Sequence, residues 1–369
     1  MKDCKYRFAR PVLPPIEAWA PFFAEAYRDR WFSNFGPLSR RLELELHERY
    51  GAREGVCVLS SSATSGLAAC LIARNLKGPV LVPAFTFPAS LSAVLMAGAP
   101  PLIVDVDPET WMVSPAVLAQ ALQESRAQAA MVVSPFGLRQ NFAEHMRICR
   151  EHDALLIIDN AAGLGVRREI EEQPPDMLEV CSMHATKPFA IGEGGVIFAN
   201  TACEERLRGA LNFALTTHAR PEGPRWGING KIPEIGAAIG LAQLENFDSQ
   251  LKARRHFVEA YVEILGAFTG LSYVKDPGRS PWQFFPALLP SSDRATRFVD
   301  HAAELGLEIR RYYRPSLSVW PGVELAHACP IAENLSGRMC CLPVYSDATV
   351  EERHTLSTLV QRALRSALA

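Results

Sequence analysis

The sequence predicts an α/β fold: a mainly parallel sheet forms a large domain, and a smaller C-terminal α+β domain follows. Three observations carry this. Short apolar, β-branched runs recur from residue 55 onward without polar alternation, and strands of that kind are buried on both faces, as in a parallel sheet covered by helices. Helix-like segments separate them, the alternation that builds doubly wound domains. After residue 201 the rhythm stops and longer helical stretches take over.

The elements follow in order. "GVCVLS" (55–60) is the first predicted strand, with "TSGLAACLIARNL" as the helix behind it. "PVLVP" (79–83), "PLIVDV" (101–106), "AAMVVSP" (129–135) and "ALLIID" (154–159) continue the series, spaced by helical "ASLSAVLMAG" and "NFAEHMRICREH". "EVCSMHATK" (179–187) reads as a further strand. "GGVIFAN" (194–200) reads as its antiparallel return after a turn at Gly194 and Gly195. "EERLRGALNFAL" is helical and "THARPEGPRWGINGK" is turn-rich. The stretch "PEIGAAIGLAQLENFDSQLKARRHFVEAYVEIL" is a long helix with a break expected near Asp248, which sets domains at 1–248 and 249–369. The second domain is expected to hold strands at "QFFPALLP" and "LEIRRYY" and a C-terminal helix, "TVEERHTLSTLVQRALRSAL".

Composition bounds the function. Apolar residues make up 48% of the 369 and charged residues 21%, with a formal net charge of −2. Such a balance argues against general binding to nucleic acid or membrane surfaces. The longest uncharged run, Gly78–Val104, could span a bilayer by length. Pro79, Pro83, Pro88, Pro100 and Pro101 punctuate it, so it reads as buried strand–loop–helix–strand. The start, "MKDCKYRFARPVLPP", has no apolar core of signal-peptide type. Nine cysteines form no Cys-x-x-Cys and no cysteine–histidine cluster, which suits a reducing cytoplasm. The adjacent Cys340 and Cys341 read as thiols rather than as a metal pair.

Ligands of such sheets sit at the carboxyl ends of the strands. That edge receives Ser61–Ser65, Phe85–Pro88, Asp159, Ser182 and Lys187. A lysine there, partly desolvated, has a lowered pKa and an amine free for Schiff-base chemistry. Asp159 can keep the ring nitrogen of pyridoxal phosphate protonated. Ser62, Ala63 and Thr64, where strand meets helix, offer hydroxyls and free N–H groups to a phosphate. Phe87 is placed to stack on a ring. Singly each is weak: lysines are mostly solvated, serines cap helices, strand-end aspartates sit in turns and phenylalanines fill cores. Their joint occurrence at successive strand ends points to a pyridoxal-phosphate site. No P-loop, no G-x-G-x-x-G after the first strand and no His-Glu-x-x-His competes.

"WFSNFGPLSRRLE", "SSSATSGLAAC", "VPAFTFPASLSAVLMAGAPPLIVDVDPET", "IIDNAAGLGV", "SMHATKPFAIGEGG" and "GINGKIPEIGAAIGLAQLENFD" resemble the DegT/StrS-type nucleotide-sugar aminotransferases. These are fold-type I pyridoxal-phosphate enzymes. Within them the chain is most similar to the transaminases that make dTDP-4-amino-4,6-dideoxyglucose. The resemblance is strong over residues 8–250 and loose beyond, through "RRYYRP" and "CLPVYSDATVEE". It implies that Lys187 carries the cofactor, Asp159 partners its ring nitrogen, Thr64 and Ser182 hold its phosphate, and Phe87 stacks on it. It also implies that Asn229 reaches the phosphate site of a second subunit, with Lys231 in the same loop, so that a homodimer holds composite sites. L-glutamate would donate the amino group and a keto-sugar nucleotide accept it, serving a surface polysaccharide or a secondary metabolite. Arg10, Lys231, and the cluster of Arg310, Arg311 and Arg314 around Tyr312 and Tyr313 are candidates for the nucleotide's diphosphate. Otherwise they are solvated charges.

Three departures stand out. Ala63 replaces the family's usual Gly, Met183 its usual Phe, and Ala162 the Gln or His near the cofactor's phenolic oxygen. Ala162 can donate nothing, which opens a difference in cofactor electronics or substrate fit. Alternatives are a cyclitol or other ketosugar transaminase, a deoxygenating dehydratase (whose family members carry His in place of Lys187), and a non-catalytic regulator of the same fold.

Overall fold

A computed structural model describes residues 4–138, 141–215, 223–275, 278 and 280–369. Part of the turn-rich stretch, 217–222, lies outside them. Eleven strands are described: β1 Val56–Ser60, β2 Val80–Pro83, β3 Pro101–Val104, β4 Ala129–Val133, β5 Leu155–Asp159, β6 Met177–Ser182, β7 Gly195–Ala199, β8 Ser272–Tyr273, β9 Phe284–Leu288, β10 Glu324–Leu325 and β11 Met339–Pro343. Eight form one sheet in the order β1-β7-β6-β5-β4-β2-β3-β10. From β6 to β10 every pairing is parallel. β7 runs antiparallel to both β6 and β1. β11, β9 and β8 form a second, antiparallel sheet.

The large sheet is covered on both faces, and its side chains alternate between two apolar cores. Val58, Val180 and Ile197 join one with the helix Ala63–Ile72. Cys57, Leu59, Cys181, Val196 and Phe198 join the other, under the helices Ile16–Asp29, Pro37–Tyr50 and the first half of Glu234–Leu265. Double-sided burial explains why these strands read as continuous apolar runs. The run 78–104 folds as β2, the helix Ala89–Met96 and β3. Cys340 and Cys341 are buried in β11.

Three expectations need correction. The strand at 179–187 stops at Ser182. Beyond it the Thr186 N–H turns back to His184 Nδ1 and the Lys187 N–H to the His184 carbonyl, at 3.2 and 2.8 Å. The long helix is unbroken over its 32 residues, Glu234–Leu265. Its polar Asp248 and Ser249 face solvent, while Phe247, Arg254, Phe257, Val258 and Tyr261 keep the buried stripe in phase. The boundary at 248/249 thus falls inside a continuous element. "LEIRRYY" is not a strand: Leu307 and Arg310 make isolated bridges to Tyr6 and Cys341.

Candidate active site

The carboxyl ends of the central strands open into a cavity of about 410 Å3. Ser62, Ala63, Thr64, Phe87, Asp159, Ala162, Ser182, Lys187 and Tyr313 all line it.

Asp159 ends β5 and is 5% exposed. Ser90 Oγ donates to its Oδ2 at 2.7 Å and the Ala161 N–H to its Oδ1 at 3.2 Å. The Thr86 hydroxyl lies 2.8 Å from Ser90 Oγ and extends this chain. Burial raises the Asp159 pKa; the Ser90 bond and the Lys187 charge oppose the rise. Lys187 is half-buried, and its Nζ donates to Gln283 Oε1 at 2.8 Å. Burial lowers its pKa to about 8 against the pull of Asp159 and Cys181. An anion and a readily deprotonated amine thus face one space.

The third wall is a cup at the start of the helix Ala63–Ile72. Ser62 and Ser65 cap it reciprocally: Ser62 Oγ accepts the Ser65 N–H at 3.1 Å, and Ser65 Oγ accepts the Ser62 N–H at 3.0 Å. The N–H groups of Ala63 and Thr64 have no acceptor among the described residues. They lie at the positive end of the helix dipole, which suits a phosphate. Gly195 lets β7 approach from beneath: a Cβ there would stand 2.6 Å from the Ser62 carbonyl carbon and 2.7 Å from the Ala63 nitrogen. Ser182 adds a hydroxyl on the cavity side, and Phe87 leaves 55% of its surface exposed at the opening. Cup, anion, amine and exposed ring together fit pyridoxal phosphate.

Five of the residues named for substrate or partner contacts, Asn229, Lys231, Arg10, Arg311 and Arg314, do not line this cavity. Asn229 is exposed and accepts a bond from Lys231 Nζ at 2.8 Å. The Ser61 N–H donates to the Gly230 carbonyl at 2.6 Å and pins that loop beside the cup. Arg311 donates to Ser292, Thr296 and the Gly337 carbonyl, away from the site. Arg10 is held by Asp347 and Glu352 over the Tyr345 ring. The cation in the wall is Arg310 instead. Gln283, Phe136, His184 and Thr186 also line it, none of them singled out by sequence. Phe136 stacks on Tyr313 with centroids 5.5 Å apart. Its local signal, "SPFG", is that of a turn.

The family profile described as "DegT/DnrJ/EryC1/StrS aminotransferase family" matches residues 18–361. The chain belongs to that family. It is a fold-type I, pyridoxal-phosphate-dependent aminotransferase. Its relatives include a dTDP-4-amino-4,6-dideoxy-D-glucose transaminase of Shigella dysenteriae, 28% identical over 92% of this chain and 93% of that protein. A GDP-perosamine synthase of Caulobacter vibrioides is 29% identical over 85% and 88%. The crystal structure of DesI, solved in the presence of its TDP-sugar product, superposes with a TM-score of 0.86. It is 26% identical and covers 99% of this chain and 95% of that one. Family membership leaves the alternatives within the fold to be separated by substrate.

Proposed function

We propose that this aminotransferase moves the amino group of L-glutamate onto a keto-sugar nucleotide, with dTDP-4-keto-6-deoxyglucose as the first candidate acceptor. The product would serve deoxyamino-sugar biosynthesis for a surface polysaccharide or a secondary metabolite. The observation that carries this reading is the convergence of the Lys187 amine, the Asp159 carboxylate and the N–H cup on one cavity of about 410 Å3. The dTDP-sugar and TDP-sugar named for two relatives support the acceptor class; the GDP-sugar named for a third keeps the base open.

Each residue then has a task. Ala63 and Thr64 N–H groups, with the Thr64 and Ser182 hydroxyls and the Ser62 cap, hold the phosphate. Phe87 covers the ring and Asp159, oriented by Ser90, holds its nitrogen. When bound, pyridoxal phosphate supplies the electron sink for cleavage of a C–H bond. Lys187 carries the cofactor and, once released, moves the proton as general base and acid. A lowered pKa suits that task. Arg310, at the rim beside Tyr312, is the best-placed cation for a diphosphate. Tyr313 contributes apolar wall, and Arg10, Arg311 and Lys231 stand outside the chain's own cavity.

A homodimer is part of the reading. Asn229 looks outward, and Trp31, Phe32, Phe213 and Ile235 are exposed on neighbouring segments. Phe213 lies under Lys231 Nζ, and the Glu234 N–H bonds the Phe32 carbonyl. An apolar surface around an outward Asn supports an interface that feeds the second site. A mass-resolved panel tests the function: keto-sugar nucleotides differing in base and sugar, and cyclitol ketones, each with L-glutamate. Transfer to a cyclitol ketone alone would replace the sugar-nucleotide reading with the cyclitol one. No bleaching of the yellow cofactor by any amino donor would leave a non-catalytic member of the fold.

A further inference from the structure

We propose that Gln283 is the positioning residue that holds the Lys187 amine in the cavity whenever that lysine is not bonded to carbon. This rests on the reading of Lys187 as the cofactor-bearing lysine.

Two independent neighbours fix the Gln283 amide. As the ammonium, Lys187 Nζ has three donors and no acceptor, so the oxygen Oε1 must face it, at 2.8 Å. The other end, Nε2, lies 3.2 Å from Thr186 Oγ1. That hydroxyl has its own direction. The Thr186 peptide N–H, which can only donate, points at His184 Nδ1 at 3.2 Å, so Nδ1 is an acceptor. The Thr186 hydroxyl, 2.9 Å from the same nitrogen, therefore donates to it, and its lone pairs are left to receive the Gln283 amide. The proton of a neutral His184 then sits on Nε2, which faces Glu193 at 3.5 Å. A directed chain runs from Lys187 through Gln283, Thr186 and His184 to the cavity rim. A flipped amide would break it at both ends.

The backbone behind Gln283 is equally constrained. Arg254, 5% exposed on the long helix, donates to the carbonyls of Trp282 and Gln283 at 2.7 Å each and to Ser346 Oγ at 2.7 Å. Gln283 directly precedes β9, whose register against β11 is set from Phe284 onward. An amine held by one carbonyl oxygen keeps its remaining directions toward the cavity, where a proton must leave and return. Without that contact, the amine of a flexible four-carbon stem samples many rotamers.

Asp159 and Cys181 act on the amine electrostatically, and Arg10 and Arg254 share a small cleft with Lys187 and Gln283. His184, Glu193, Arg310, Tyr312 and Tyr313 line the active-site cavity, and Arg254 stands behind Gln283. Changing Gln283 alone leaves all of these in place. The protein is loaded with pyridoxamine phosphate, which leaves Lys187 free, and labelled with acetic anhydride from pH 6 to 10. Acetylation at Lys187 is read by peptide mass. Gln283→Met is expected to lower the pH of half-labelling by about one unit, because the ammonium loses an acceptor. Gln283→Glu should raise it. Thr186→Val, which frees the amide, should shift it down by less. In parallel kcat of Gln283→Met should fall about tenfold or more, with KM for glutamate within about twofold. Superimposable labelling curves in wild type, Gln283→Glu and Thr186→Val overturn the proposal even if Gln283→Met does not fold. Borohydride reduction of the pyridoxal-phosphate-loaded protein separates the two readings. Trapped cofactor on another lysine removes the Lys187 reading. Cofactor on Lys187 with unchanged labelling curves removes Gln283 alone.

Discussion

Lys187 is a cation held where water is scarce, and its pKa falls from 10.5 to about 8 for that reason. Between those values the folded, cofactor-free chain has released this proton while the unfolded chain still binds it. The Lys187 contribution to stability therefore rises with pH from about 8 to about 10.5, and below pH 8 the buried ammonium is a cost. Amine-reactive labelling of the cofactor-free protein should be half-maximal at Lys187 near pH 8. A midpoint near 10.5 would show the amine to be solvated. Lys187→Ala should fold and lose turnover by many orders of magnitude, because covalent attachment and proton transfer both go. Comparable transamination by that variant would exclude Lys187 from catalysis. Asp159→Asn keeps the shape and the Ser90 contact but removes the anion. Proton exchange at the α-carbon of glutamate should fall by about 100-fold or more, and a near-wild-type exchange rate would remove Asp159 from the mechanism.

β7 places the cup without a charged residue at the site. β7 reaches the first turn of the helix Ala63–Ile72 because residue 195 has no side chain. Gly195→Ala forces the backbone at Ser62 and Ala63 to move, at about 1–3 kcal/mol. Weaker binding of pyridoxal phosphate should accompany that loss, read by fluorescence titration beside a thermal melt. An unaltered melt and affinity would mean that the loop yields freely. The long helix caps a second helix through its first residue. Glu234 is fully buried and its carboxylate accepts the N–H groups of Leu38 and Ser39, at 2.7 and 3.1 Å, capping the helix Pro37–Tyr50. Glu234→Ala should cost about 1–3 kcal/mol, since the Leu38 and Ser39 N–H groups and the Ser39 hydroxyl, all buried, lose their acceptor. Glu263→Ala, on the exposed face of the same helix, should stay within about 0.5 kcal/mol. Equal effects in urea titrations would refute the capping role.

At the scale of the molecule the two halves interleave. Tyr6 bridges Leu307, and β10 of the C-terminal half adds to the large sheet beside β3. Asp105 caps the helix Pro330–Arg338 through Ile331 and Ala332, at 3.0 and 2.8 Å. One apolar core contains both Val58 and Phe285. The proposed division at 248/249 is then a division of roles around one helix. Assembly is tested by mixing two inactive variants, Lys187→Ala and Asn229→Ala. If Asn229 serves the partner's site, a mixed dimer contains one site with neither substitution and regains activity, approaching one quarter of wild type on random exchange. No recovery despite proven subunit exchange, or an active monomer, would end the composite-site reading.

Local chemistry was enough to reveal the parallel-sheet fold. Double-sided burial writes itself as continuous apolar runs, and Pro and Gly mark their ends. The same logic brought Asp159, Ser182 and the Ser62–Thr64 segment to one edge, because strand ends in such a sheet share a side. Contacts between distant segments left no such trace. Nothing in "PWQFF" says that Gln283 will meet Lys187 across 96 positions, and nothing in "IRRYY" says that Arg310 will face the cavity while Arg311 turns to Gly337. The polar Asp248–Ser249 pair looked like a break because sequence pattern alone did not reveal that burial on the opposite stripe continues from one core into the next. Sequence determined which chemical groups stand at the sheet edge. The tertiary structure decided which of them share a cavity, because that depends on the register and packing of segments far apart in the chain.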